Sequence, residues 1–318
     1  MDSGSSIRKV DTLSIKVKVM EYQTLKQLAD QLKGNLRRTF ENRFGSILDL
    51  MEVEIQLEAL IALAQFYDPP LRSFLFQDFQ MAPTLDEYER ILDQPLTKNP
   101  PYLYQGNFPS WGRVAKLLKT AKSEVMAKKQ SRSGINGLLL AYLEERMKVF
   151  LKEGNWEEFI NLLRLAIYDV ILLPHLDEYV DLASIDLTKN EQEIVTTILA
   201  NTYYTIHQCH ERKGGCLICC LLALYLWLMT HISLCRCITT RPIEDLKWCW
   251  IKKKTGKEWA RFLRELTNKV IRWYPKWKEW EEVWYWCGKF PNIPLIGTQV
   301  IETQPTKSKI IGVTLEVS

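Results

Sequence analysis

Over most of the chain, apolar residues return every three or four positions, the period of a helix with one buried face. In ILDLMEVEIQLEALIALAQF the residues Leu50, Val53, Leu57, Leu60 and Ala64 share one face, and Tyr67-Asp68-Pro69-Pro70 ends the run. SFLFQDFQM, with Phe74 and Phe76 at alternate positions, reads as a short strand. Thr84 and Glu87 then stand at capping-box spacing and open a helix that runs to about Leu92, before Pro95. Residues 94–110 read as loop. From Gly137 to Leu172, GLLLAYLEERMKVFLKE and WEEFINLLRLAIYDVILL predict a helical hairpin that turns at Gly154-Asn155. Residues 189–210 predict a further helix. Period-two alternation marks both ends, at Leu13, Ile15, Val17 and Val19 and again at Val313, Leu315 and Val317, as edge strands or frayed tails. No internal repeat, low-complexity tract or coiled coil is expected. The fold class is therefore mainly α, a multi-helix globular domain with a minor short-strand element near its N-terminal module.

Composition fits that picture: 318 residues, 47% hydrophobic and 25% charged, suit one large globular domain or two ordinary ones. The stretch CLICCLLALYLWLMTHISL, residues 216–234, carries no full charge. A membrane span needs about 20 apolar residues. Thr230, His231 and Ser233 dilute the end, and the strongly apolar part runs only from Cys216 to Met229. A core helix is the reading, with a membrane anchor through 216–234 as its alternative. The N-terminal MDSGSSIRKVDTLSIKVKV has no apolar core of a signal peptide. All eight cysteines lie between 209 and 287, unlike a disulfide framework, which points to a reducing, intracellular compartment. Cys209, His210, Cys216 and Cys219 form the one candidate zinc set. Against it, Cys219 and Cys220 lie in the most apolar run, where Cys acts as a small hydrophobe.

Charge changes the picture most. The whole chain is only +4, yet residues 241–290 hold thirteen Lys/Arg against seven Asp/Glu. Eight of the eleven tryptophans fall between Trp248 and Trp286 in the same block, which implies a packed layer, a stacking surface or both. Thr255-Gly-Lys-Glu258 is a second capping box. In the helix it opens, Trp259, Phe262, Leu263, Leu266, Val270 and Trp273 line one side, with Lys257, Arg261, Arg264 and Arg272 opposite. With Lys252, Lys253 and Lys254 just ahead, this stripe can follow a phosphate backbone, with tryptophan nearby for base stacking. The plain alternative is a solvated helix face.

A second basic element is PSWGRVAKLLKTAKSEVMAKKQSR, with seven Lys/Arg and one Glu. Ala115, Leu118 and Val125 occupy the small, core and second-helix core offsets of a helix-turn-helix, whose recognition helix begins near Lys122. Lys119 stands where the turn usually has Gly, and Lys128 where an apolar residue is usual. Two short helices packed together are the alternative.

No GxGxxG, P-loop, HExxH or GxSxG is present. The four histidines (175, 207, 210 and 231) stand beside no persuasive nucleophile, and acidic runs such as DEYVD (177–181) read as solvated faces. Neither an enzyme nor a cofactor is expected.

The segment QFYDPPLRSFLFQDFQMAPTLDEYERILDQPL (65–96) resembles the entry module of plant proteins related to the plant mobile domain, with an F-x-F strand, a T-L-[DE] cap and a short helix ending before Pro. GLLLAYLEERM with LAIYDVILLPHLDEYVDLA, YYTIHQCHERKGGCLICCLLALYLWLMTHI, and PIEDLKWCWIKKKTGKEWARFLRELTNKVIRWYPKW through FPNIPLIGTQ extend the resemblance over roughly residues 40–299. Trp227 and His231 keep its rhythm of an apolar run with Trp and a late His. The resemblance implies residues 1–39 as an extension, 40–299 as a helical domain of transposable-element ancestry, and 300–318 as a divergent tail. It implies a nuclear setting and supplies no catalytic residues. Relatives carry Arg at the place of Cys216, and they continue past GTQ where this chain turns into IETQPTKSKIIGVTLEVS, which implies a shortened copy. The function expected is non-enzymatic binding of DNA, RNA or a chromatin partner through the basic face. A protein-interaction module, a membrane-anchored protein and a degenerate transposon enzyme are the alternatives.

Overall fold

A computed structural model of the chain describes residues 12–96, 108–182, 194–233, 241–247 and 251–273, with the backbone of 286–287 and 290–291. The architecture is mainly α, with a few short strands. Strand β1 (Ser14–Val17) leads into α1 (Gln23–Ala29), α2 (Asn35–Phe44), α3 (Ile47–Leu50) and α4 (Leu57–Ala64). An antiparallel meander of β2 (Tyr67–Asp68), β3 (Ser73–Leu75) and β4 (Gln80–Met81) is followed by α5 (Leu85–Leu92). Next come α6 (Trp111–Leu117), α7 (Lys122–Lys128), β5 (Gln130–Arg132) and β6 (Ile135–Leu139). The predicted hairpin is α8 (Leu140–Glu153) and α9 (Trp156–Ile167), joined at Gly154 in the left-handed conformation, and α9 runs on as a π turn over Tyr168–Leu172. β7 (Tyr179–Asp181), α10 (Val195–Glu211), β8 (Gly214–Leu217), α11 (Leu221–Ile232), α12 (Pro242–Lys247) and α13 (Gly256–Glu265) complete the main body. A short ladder joins β9 (Trp286–Cys287) to β10 (Phe290–Pro291).

The core centres on α11, every residue of which is buried. Of residues 216–233, only these twelve are helical, and Cys216 and Leu217 belong to β8. Among the described residues no helix is long and apolar enough to cross a membrane. β8 runs parallel to β1, pairing Gly214 with Ser14 and Leu217 with Val17. Gly214 sits at φ +146°, and a Cβ there would stand 2.9 Å from the Ser14 carbonyl oxygen, so the close approach of the two strands needs glycine. Ile15, Met20, Leu25, Leu28 and Leu32 join the common core.

Two helix expectations change. The run read as one helix from Ile47 to Phe66 is two, α3 and α4, with residues 53–56 irregular between them. Gln56 is extended there and uses its amide in tertiary hydrogen bonds, a competing claim that local periodicity does not register. The helix expected from Gly137 starts at Leu140, because Gly137, Leu138 and Leu139 pair with β7. Of the tryptophan block, Trp259 and Trp273 are described; the side chains of the other six lie outside the described residues, as do Val313, Leu315 and Val317.

Candidate nucleic-acid interface

α13 forms because Thr255 and Glu258 cap it reciprocally. The Thr255 hydroxyl accepts from Glu258 N at 3.4 Å, while the Glu258 carboxylate accepts from Thr255 N at 2.8 Å. The bond from Thr255 N, and after it the one donated by the Thr255 hydroxyl at 2.9 Å, hold the exposed Glu258 carboxyl below its usual range. The helix buries Trp259 and Leu263 against α4 and turns Lys257, Arg261 and Arg264 to solvent. These three residues make no ion pair among the described residues. They stand at successive turns of one face, with exposed Glu258 and Glu265 at its border.

Gln56 fixes the arm that enters this helix. Its Oε1 accepts from Lys254 N at 3.0 Å and from Trp259 Nε1 at 3.1 Å, and its Nε2 donates to Lys252 O at 3.4 Å. The Lys254 ammonium lies 4.4 Å from the centroid of the Trp259 ring and 5.0 Å from that of Phe262. Burial pushes its pKa down, whereas the ring faces favour the cation. Lys254 thus caps the aromatic layer, while Lys252 and Lys253 are exposed.

Arg272 does not continue the stripe. α13 ends at Glu265, and the following backbone is captured by the meander, with Asn268 N donating to Asp78 Oδ1 at 3.1 Å. Trp273 packs edge-on against Phe79, with ring centroids 5.7 Å apart, and Arg272 donates from its guanidinium to Ser233 O at 3.0 Å. Its backbone also joins a buried polar node that the sequence reading did not find. Arg272 N donates to His231 O at 2.9 Å, and His231 Nδ1 lies 2.8 Å from Arg272 O. His231 Nε2 in turn faces Glu87 Oε1 at 2.9 Å, and Trp227 Nε1 donates to Glu87 Oε2 at 3.1 Å. The capping box Thr84–Glu87 was legible, but only the packing of α11 on α5 makes its carboxylate the centre of this node.

The four residues of the alternative zinc set do not converge. His210 Nε2 is 2.8 Å from Ala64 O, Cys216 is exposed on β8, and burial raises the thiols of Cys209 and, far more, Cys219. Among the described residues, the group whose ligand atoms lie within 4.8 Å of one another is Asp169, His175 and Asp181. Asp169 stands on the π turn; Asp181 N donates to it at 3.4 Å, and His175 Nδ1 lies 3.2 Å from Leu173 O.

These elements define a mainly α protein whose last described helix presents a cationic face with no ion pair among the described residues. Residues 25–309 match the family described as a domain of unknown function (DUF7745), and the chain belongs to that family. No curated protein and no solved structure matches it.

Proposed function

We propose that this protein binds nucleic acid without catalysing a reaction, through the face formed by Lys257, Arg261 and Arg264 with the Lys252–Lys253 arm. The observation that carries the reading is that these three helical cations, all exposed, make no ion pair among the described residues. Solvated single charges are ordinary, but three aligned on a helix held at its N-terminal end by a capping box and by Gln56 form a prearranged cationic surface. Such a surface exchanges counterions for phosphates and gains affinity from their release. A nuclear setting and transposable-element descent belong to the same proposal and rest on the resemblance to plant mobile domain proteins.

The test is Arg261→Glu with Arg264→Glu in the full chain. The pair is expected to weaken binding to labelled DNA and RNA by about tenfold or more while the thermal midpoint stays put. Unchanged affinity would remove this face from the account. An acidic chromatin protein that binds the wild type when nucleic acid does not would assign the face to protein recognition instead.

A further inference from the structure

The second basic element folds as a helix-turn-helix. α6 ends at Leu117 with Leu118 as its C-cap, Lys119 takes the left-handed conformation at φ +48°, and α7 begins at Lys122. Thr120 N donates to Ala115 O at 3.1 Å and Lys119 N to Lys116 O at 3.3 Å, the paired bonds of a Schellman turn. Ala115, Leu118 and Val125, the three positions singled out by their spacing, are all buried. The turn is clamped from behind. Arg146 on α8 donates to Leu118 O at 2.9 Å and to Lys119 O at 3.2 Å, and Lys119 pairs with Glu158 on α9 at 3.1 Å.

A β-hairpin follows directly. β5 and β6 pair Arg132 with Ile135 across Ser133 (φ +51°) and Gly134 (φ +81°), both left-handed, the geometry of a two-residue type I′ turn. β7 adds a third strand, and the buried Tyr179 sets its hydroxyl 2.9 Å from Gln130 O and 2.8 Å from Ile135 O, holding both hairpin strands. Helix, turn, helix and wing thus occur in uninterrupted order over residues 111–139.

The surface chemistry names the ligand. Over residues 109–132 there are seven Lys/Arg and one acid, Glu124. Glu124 is engaged within the protein by the Thr120 hydroxyl and by Tyr142 Oη at 2.9 Å. Lys116 and Lys122 are exposed and make no ion pair among the described residues, while Lys128 and Lys129 lie over the rings of Tyr142 and Trp111 with their charges at the surface. The exposed residues of α7 are Lys122, Ser123, Glu124, Met126, Ala127 and Lys128; Met126 is 44% exposed. A small polar residue and two apolar ones between cations suit base edges and thymine methyl groups flanked by phosphates. The B-form major groove admits an α-helix, whereas the A-form groove of duplex RNA is too narrow.

We infer that residues 111–139 are a winged helix-turn-helix that binds duplex DNA, with α7 entering the major groove and the β5–β6 hairpin beside it. The site lies outside the α13 face and shares with the proposed function only the premise that the ligand is nucleic acid. The full chain, the Lys122→Glu/Met126→Glu variant and the Arg261→Glu/Arg264→Glu variant are titrated by fluorescence anisotropy. The probes are a mixed-sequence duplex DNA of roughly 20 base pairs, two helical turns, and a duplex RNA of equal length. The α7 variant is expected to lose about tenfold or more in affinity for duplex DNA, with its circular dichroism and thermal midpoint retained. Its affinity for duplex RNA should move less than about threefold, and Lys119→Gly, which keeps the turn and the α7 surface, should bind DNA as the wild type does. Duplex DNA affinity unchanged in the α7 variant but lost in the α13 variant would overturn this inference and leave the α13 reading standing. The reverse pattern would leave the winged element alone, and equal losses for DNA and RNA in the α7 variant would contradict groove reading.

Discussion

His231 on α11 and Glu87 on α5 meet at 2.9 Å with both side chains withdrawn from water. The Glu87 carboxylate also accepts from Thr84 N and the Thr84 hydroxyl, each at 2.9 Å, and from Trp227 Nε1. Three segments converge on one carboxylate: the cap of α5, the centre of α11 and, through His231, the backbone at Arg272. Glu87→Ala strands the indole N–H and the imidazole without their acceptor. It is expected to cost about 3–5 kcal/mol, as one-sided removal from a buried polar pair does. Urea unfolding of Glu87→Ala, His231→Leu and the double variant checks this; the double variant should cost clearly less than the sum of the singles.

Gln56 serves three partners on the basic arm, so Gln56→Ala should destabilise by about 1–3 kcal/mol, the cost of buried groups losing hydrogen bonds. The damage should be local. Limited proteolysis at residues 252–257 should accelerate well before the core opens, and uniform acceleration at all sites would contradict the role given to Gln56.

Lys119 holds a left-handed conformation that suits glycine better. Lys119→Gly relieves that strain and forfeits an exposed ion pair with Glu158 of small worth. A net gain of about 0.5–1 kcal/mol is expected. A loss of more than about 1 kcal/mol on the same scale would show that the turn is not built as described.

The contact between α7 and α8 has a pH signature at each end. The hydroxyls of Thr120 and Tyr142 hold the Glu124 carboxyl below its ordinary value of 4.5, so its contribution is present above that value and is lost as pH falls through the lower, folded value. Burial, then the bond to Glu124, pushes Tyr142 up to about 12 from an ordinary 10.0; that contribution is complete below 10.0 and is lost as pH rises through about 12. The protection of the α7 amides, taken relative to their intrinsic exchange rate at each pH, should fall on acidification in the wild type, and Glu124→Gln should flatten that acid limb.

Local signals in the sequence were legible and held. Both capping boxes form and Gly154 ends α8 as a left-handed cap, whereas the run SFLFQDFQM, read as one strand, is the antiparallel pair β3 and β4, with Phe74 and Phe76 buried and Leu75 between them exposed. The start of α7 at Lys122 also followed from spacing. What spacing could not show is the set of bonds made at long range. Nothing near Gln56 in the chain announces Trp259, and the Asp78 carboxylate that ends the basic helix early lies 190 residues away from Asn268. For the same reason Arg272, on the stripe by helical period, belongs instead to the His231 node. The hairpin β5–β6 had a local signal in Ser133-Gly134, which the strong helical period beginning at Gly137 obscured.

The most direct test of nucleic-acid binding is the salt dependence of anisotropy for the full chain with labelled duplex DNA. Binding that weakens linearly on a log–log plot, by a slope of about 0.9 for each phosphate neutralised, with a shallower slope in Arg261→Glu/Arg264→Glu, is the predicted result. No binding at low salt by a folded sample, or an affinity indifferent to salt, would contradict the account.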